Sequence, residues 1–133
     1  MSPLLTEATV QEIQLELIRR TQFNAFDGKK VVASLLRHRA LWIAAVMESS
    51  YGSGIHHLSG AGLLKLRDLP LNVWHVDTLY VLTEDAQRAH QFARLIEEEG
   101  WGQEVQVIDD EREVQRALGG GEPGQAIVSV WWD

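Results

Sequence analysis

Apolar positions recur at helical spacing over residues 9–22, where Val10, Ile13, Leu17 and Ile18 fall at i, i+3, i+7 and i+8. Thr9 followed by Glu12 has capping-box spacing, and Arg19 and Arg20 suit the negative end of a helix dipole. After a break at residues 23–28, Asp27 is placed to cap a second, longer helix over 28–49. Its apolar positions, Val31, Val32, Leu35, Leu36, Trp42, Ile43, Val46 and Met47, cover an arc wide enough for two neighbours. The short connection predicts an αα-hairpin with Phe23 and Phe26 at its corner. Residues 50–62 are rich in glycine and serine and read as a loop. Leu63–Leu69 fits either a helical turn or an edge strand, ended by Pro70.

The second half has a different rhythm. Trp74–Thr83 reads as a strand, 83–99 as a helix closed by Gly100, and Gln103–Ile108 as a second strand. Asp110 and Glu113 open a short helix to Leu118, and Gln125–Trp132 is a last strand. Strand–helix–strand alternation predicts parallel strands joined by crossover helices. The first and third strands are almost continuously apolar, as a sheet covered on both faces requires, whereas Glu104–Ile108 alternates and reads as an edge. The expected architecture is α/β: one domain over 1–133, with a helical hairpin (1–49), a Gly/Ser-rich connection (50–72) and a small, mainly parallel β-α-β-α-β sheet (73–133) in the order 2-1-3.

Composition narrows the functional classes. The chain has 133 residues, 45% hydrophobic and 23% charged, which is ordinary globular usage. It has no cysteine, which excludes disulfides, thiolate metal sites and cysteine nucleophiles. The N-terminus lacks the basic and apolar regions of a signal peptide, and no apolar run is long enough to span a bilayer, so a cytoplasmic protein without membrane contact is expected. The net charge of −7 is unevenly distributed. Residues 1–67 are mildly basic, and residues 68–133 hold most of the carboxylates. Such an acidic half repels phosphate backbones, so nucleic acid is not an expected partner.

Candidate chemistry follows from the expected topology. In an open parallel sheet, ligands bind beyond the carboxyl ends of the strands. That edge would carry Thr83, Glu84 and Asp85, then Asp109 and Asp110, with Asp133 after the last strand. Converging carboxylates can hold Mg²⁺ or a basic ligand, although three of these residues also stand where helix N-caps belong. His75 and Asp77 are two apart on an expected strand and share a face; with His56 and His57 they form a candidate metal set. No phosphate loop or nucleophile elbow is present, and no cofactor is predicted. Trp131 and Trp132 point to opposite sides of the last strand, as core anchors or as interface residues. Arg37 and Arg39 give the second helix a basic aspect that could face the acidic half of a sister subunit. The leading expectation is a non-catalytic protein-interaction or regulatory module that associates with itself or with another protein, a basic partner among them. The alternative is a small enzyme or cation-dependent ligand-binding protein using the acidic edge.

Overall fold

The computed structural model of the protein describes residues 4–49 and 64–133. Helix α1 is Val10–Arg20, opened by the expected capping box. Thr9 Oγ1 accepts from the Glu12 amide at 3.1 Å, and the Glu12 carboxylate accepts from the Thr9 amide at 2.8 Å. Its buried stripe is the expected one only at Ile18 and, half-buried, Ile13. Val10 is 83% exposed, while Ile18 is fully buried and Leu15 packs against the core. Gln11 and Gln14 share this face with Leu15 and Ile18, because the neighbouring strand needs polar partners there.

Two-residue strands β1 (Gln22–Phe23) and β2 (Phe26–Asp27) pair across a turn with Asn24 in the left-handed region, φ 43°. The Phe23 and Phe26 rings stack at 5.1 Å, as the hairpin corner expected. Asp27 caps α2, Gly28–Arg37. The helix expected over 28–49 ends there: a short 3₁₀ turn, Arg39–Leu41, leads into strand β3, Ala44–Glu48. Buried Ala45 and Met47 alternate with exposed Val46 and Glu48, a period of two that the unpunctuated apolar run concealed. The Trp42 indole donates to the Leu35 carbonyl at 2.8 Å, giving a partner to a carbonyl near the end of α2.

Leu64–Asp68 is a short helix, α3, followed by a 3₁₀ turn through Pro70. The expected strand Trp74–Thr83 is shorter, β4 Thr78–Thr83. Then follow α4 (Ala86–Glu99), β5 (Glu104–Ile108), α5 (Glu111–Leu118) and β6 (Ala126–Trp131). Gly100 and Gly119 close α4 and α5 in the left-handed conformation.

The mainly parallel sheet of order 2-1-3 is corrected by the strand pairing. The main sheet has four strands in the order β3-β4-β6-β5, and every neighbouring pair is antiparallel. Strands β4 and β5 do run the same way, as a crossover through the long helix α4 requires, but β6 lies between them in the opposite sense. The cause is the link after β5. Helix α5 has 8 residues, and the glycine turn that follows doubles back along it. The Gln115 side chain donates to the carbonyls of Gly121 and Glu122, and the Gly124 amide donates to Glu111 at the start of the helix. The chain therefore re-enters the sheet at the end it left. Gly119, Gly120, Gly121 and Gly124 all have positive φ, which this reversal requires.

Helices α1, α2 and α4 cover one face of the sheet. Ile18, Val31, Leu35, Phe92 and Ile96 form one core with Ala45, Met47, Leu79, Val81, Val128 and Val130. On the other face, Val114 of α5 and Ile127 of β6 are buried outside that core.

Candidate functional site

The acidic edge exists in part. Because β4 and β5 share a direction, Thr83, Glu84 and Asp85 lie at the same end of the sheet as Asp109 and Asp110, whereas antiparallel β6 carries Asp133 to the other end. Each of the groups at the shared end has a local task. The buried Thr83 hydroxyl lies 3.0 Å from the Asp85 carbonyl and 2.9 Å from that of Ala126. Asp85 caps α4 through the Arg88 amide and pairs with the Arg88 guanidinium, which also reaches Glu84 at 3.4 Å. Asp110 caps α5, and Asp109 lies 3.0 Å from His90. Among the described residues, no three His, Asp or Glu side chains are grouped to hold a metal ion.

His75 and Asp77 precede β4 instead of sharing one of its faces, which corrects the expectation that both lie on a strand. His75 Nε2 is 2.7 Å from Asp68, whose carboxyl is held well below the usual range by hydrogen bonds from Arg67 and His75. Asp77 Oδ1 accepts from the Thr78 hydroxyl, and its backbone bridges Glu48 and Trp132. His56 and His57 lie outside the described residues.

One polar cluster has no precursor in the sequence reading. Ser34, Arg37 and His38 of α2 converge on Glu99 at the end of α4. Ser34 Oγ and Arg37 each donate to Oε1 at 2.8 Å, and His38 Nε2 is 2.6 Å from Oε2. The Trp101 indole donates to Ser34 Oγ at 2.9 Å. Burial pushes the Glu99 pKa up, but the hydrogen bonds from His38, Ser34 and Arg37, with the Arg37 charge, outweigh it and hold the group at about 2. This is a latch between helices and not a nucleophile with its base: Ser34 is 1% exposed, and both it and His38 bond to Glu99. The i, i+3, i+4 spacing of Ser34, Arg37 and His38 was visible in the sequence; their partner, on a distant helix, was not.

The latch implies a pH dependence. A depressed folded-state pKa contributes stability above the unfolded value and loses it as pH falls through the folded one. Between pH 4.5 and about 2, protonation of Glu99 should therefore remove about 2 kcal/mol, with solvent screening allowed for. Melting curves of wild type and Glu99→Gln across that range should converge towards the acid end; a constant separation would show that Glu99 does not titrate with folding.

The surface that remains is the sheet face opposite α1, α2 and α4. The pairing register sets three rows across it: Ala44–Leu82–Ile127–Ile108 beside α5, then Val46–Tyr80–Ser129–Gln106, then Glu48–Thr78–Trp131–Glu104. Val46 is 36% and Tyr80 37% exposed, and Trp131 is half-buried. Two carboxylates, Glu48 and Glu104, stand at the outer ends of the last row, and no strand position on this face carries Lys or Arg.

The other interface candidates lie elsewhere. Trp132 is 1% exposed and donates through its indole to the Trp101 carbonyl. Arg37 is engaged with Glu99, and the Arg39 guanidinium lies over the Trp42 ring, 4.0 Å from its centroid. Neither arginine is on the open face. No helix among the described residues is long and apolar enough to cross a membrane. No family model, curated protein or solved structure matches this chain.

Proposed function

We propose that the protein is a non-catalytic interaction module whose open sheet face receives a protein partner bearing cationic side chains. The observation that carries this reading is the character of the outward positions. An antiparallel sheet with one solvated face alternates apolar-in and polar-out. Here the outward positions clear of α5 on the contiguous strands β3, β4 and β6 include Val46, Tyr80 and Trp131, while Ile127 is buried beside Val114. Helix α5 supplies Val114 to one end only. Apolar and aromatic side chains in the middle, with Glu48 and Glu104 at the rim and no cation between them among the described strand positions, match a surface that presents an apolar residue flanked by Lys or Arg.

The test uses two synthetic probes with the full chain: an amphipathic peptide alternating leucine with lysine, and the same peptide with glutamate in place of lysine. The basic peptide should bind, and more weakly as salt rises, because rim charges are screened within about 8 Å at physiological ionic strength. Tyr80→Ser, and separately the pair Glu48→Lys with Glu104→Lys, should each weaken it about tenfold, roughly 1.4 kcal/mol. Equal binding of both peptides, or binding indifferent to these substitutions, removes the reading. So does wild-type Tyr80 shielded from a water-soluble probe in the isolated monomer.

A further inference from the structure

The two outer edges of the sheet are treated differently. Along β3, the unpaired backbone is sealed from within: the Gln11 side chain donates to the Ala45 carbonyl at 2.8 Å and accepts from its amide at 2.9 Å, and Gln14 accepts from the Met47 amide at 3.3 Å. This is how a protein closes an edge that would otherwise recruit another strand. The same bonds fix which way the backbone points throughout the sheet. The Ala45 amide and carbonyl face away from β4, and successive residues of a strand alternate sides. Carried through the pairs Ala45–Val81, Val81–Val128 and Val128–Val107, this alternation turns the N–H and C=O of Val105 and Val107 outward from β5. Among the described residues, no side chain bonds those outer groups. The strand Glu104-Val105-Gln106-Val107-Ile108 contains no proline and no lysine, two devices that blunt edges.

We infer that this edge pairs with β5 of a second copy, antiparallel about a two-fold axis at Gln106, to give one continuous eight-stranded sheet. The register is self-complementary. Val105 faces Val107 of the partner subunit, so the two outward backbones exchange both hydrogen bonds. Gln106 faces its own counterpart. Glu104 faces the partner's Ile108, Asp109 faces the partner's Gln103, and Asp110 faces the partner's Gly102. No carboxylate stands opposite a carboxylate, although each chain carries −7. Val105 and Val107 already pack against the core on the helical side, so their meeting would extend that apolar layer across the axis. A two-fold contact of this kind closes on itself and leaves no new edge in the ladder. It touches the open face only along its β5 margin, through Glu104, Gln106 and Ile108, and does not involve Val46, Tyr80 or Trp131, so it stands independently of the peptide-binding reading.

The test is sedimentation equilibrium of the full chain with two substitutions. Wild type should dimerise. Gln106→Lys sets two like charges directly opposite each other at an exposed position, and should raise the dissociation constant at least about tenfold without lowering the melting temperature of the monomer. Because the chain has no cysteine, Gln106→Cys gives a second readout that needs no loss of stability. Directly opposed residues that do not exchange hydrogen bonds have Cα atoms about 4.5 Å apart, within disulfide reach, so mild oxidation should cross-link the dimer. Glu104→Cys is the control: its two copies would stand roughly 14 Å apart along the strands and should stay free. A wild type that is monomeric at all concentrations overturns the inference. So does a dimer that ignores Gln106→Lys and fails to cross-link through residue 106, which would place self-association on another surface.

Discussion

Gly28→Ala is expected to destabilise the protein by at least about 3 kcal/mol, with a loss visible as a large drop in the urea midpoint. Helix propensity alone predicts the opposite sign, because alanine is favoured over glycine by about 1 kcal/mol in a helix. The contact overrides the propensity. A Cβ at residue 28 would overlap the Ile18 carbonyl oxygen and stand 2.5 Å from that of Thr21 and 2.9 Å from that of Arg19. These are backbone atoms at the end of α1, so no rotamer change relieves the overlap. The Gly28 amide also donates to the Thr21 carbonyl at 3.1 Å, which holds the start of α2 against the end of α1. Separating the helices would open the contact that buries Ile18, Val31 and Leu35. Ala33→Gly, at an exposed position of α2, is the control and should cost about 1 kcal/mol. A neutral or stabilising Gly28→Ala would mean that the two helix ends do not approach as closely as described.

Trp132→Ala should cost about 3–5 kcal/mol, the range for emptying a buried tryptophan site. Trp132 lies beyond the last strand pair, yet it is 1% exposed. Its ring meets Phe26 edge-on at 4.6 Å and stacks on Trp101 at 6.1 Å; Trp101 in turn meets Phe92 at 6.4 Å. The aromatic chain runs from the hairpin corner to α4, with Trp132 as its middle link. Its indole donates to the Trp101 carbonyl at 2.8 Å and its amide to the Asp77 carbonyl at 3.1 Å. Denaturant unfolding followed by near-ultraviolet dichroism should show both the loss of stability and the loss of the coupled aromatic signal. Trp131→Ala, on the half-buried opposite side of the strand, should cost less than half as much. Equal costs for the two would show that Trp132 is not the anchor.

Features set within one turn of chain were legible in the sequence. Thr9 with Glu12, Asp27, Asp110, Gly100 and Gly119 all mark helix ends as their chemistry requires, because a cap bonds to an amide or carbonyl three or four residues away. Glu104–Ile108 read as an edge strand from its alternation, and it is one. Strand β3 was not legible: the wide apolar run from Trp42 to Met47 contains no breaker, and only pairing with β4 selects a period of two there. The expected acidic edge gathered Thr83, Glu84, Asp85, Asp109 and Asp110 at one end of the sheet because β4 and β5 share a direction, but helix caps and local side-chain contacts already occupy them. The open face was not legible because continuous apolar strands are also the pattern of a parallel sheet covered on both sides.

The sequence by itself determined where α1, α2 and α5 begin, where α4 and α5 end, and that three strands in the second half alternate with two helices. Tertiary structure alone decided the direction of β6, the conversion of Ala44–Glu48 into a strand, and the meeting of Glu99 with Ser34, Arg37 and His38. The physical reason is range. Capping and periodicity are energies between near neighbours, and they keep their sign in any fold. Strand order and direction depend on where a connection returns the chain, and here a glycine turn bonded back along α5 returned it to the end it had left.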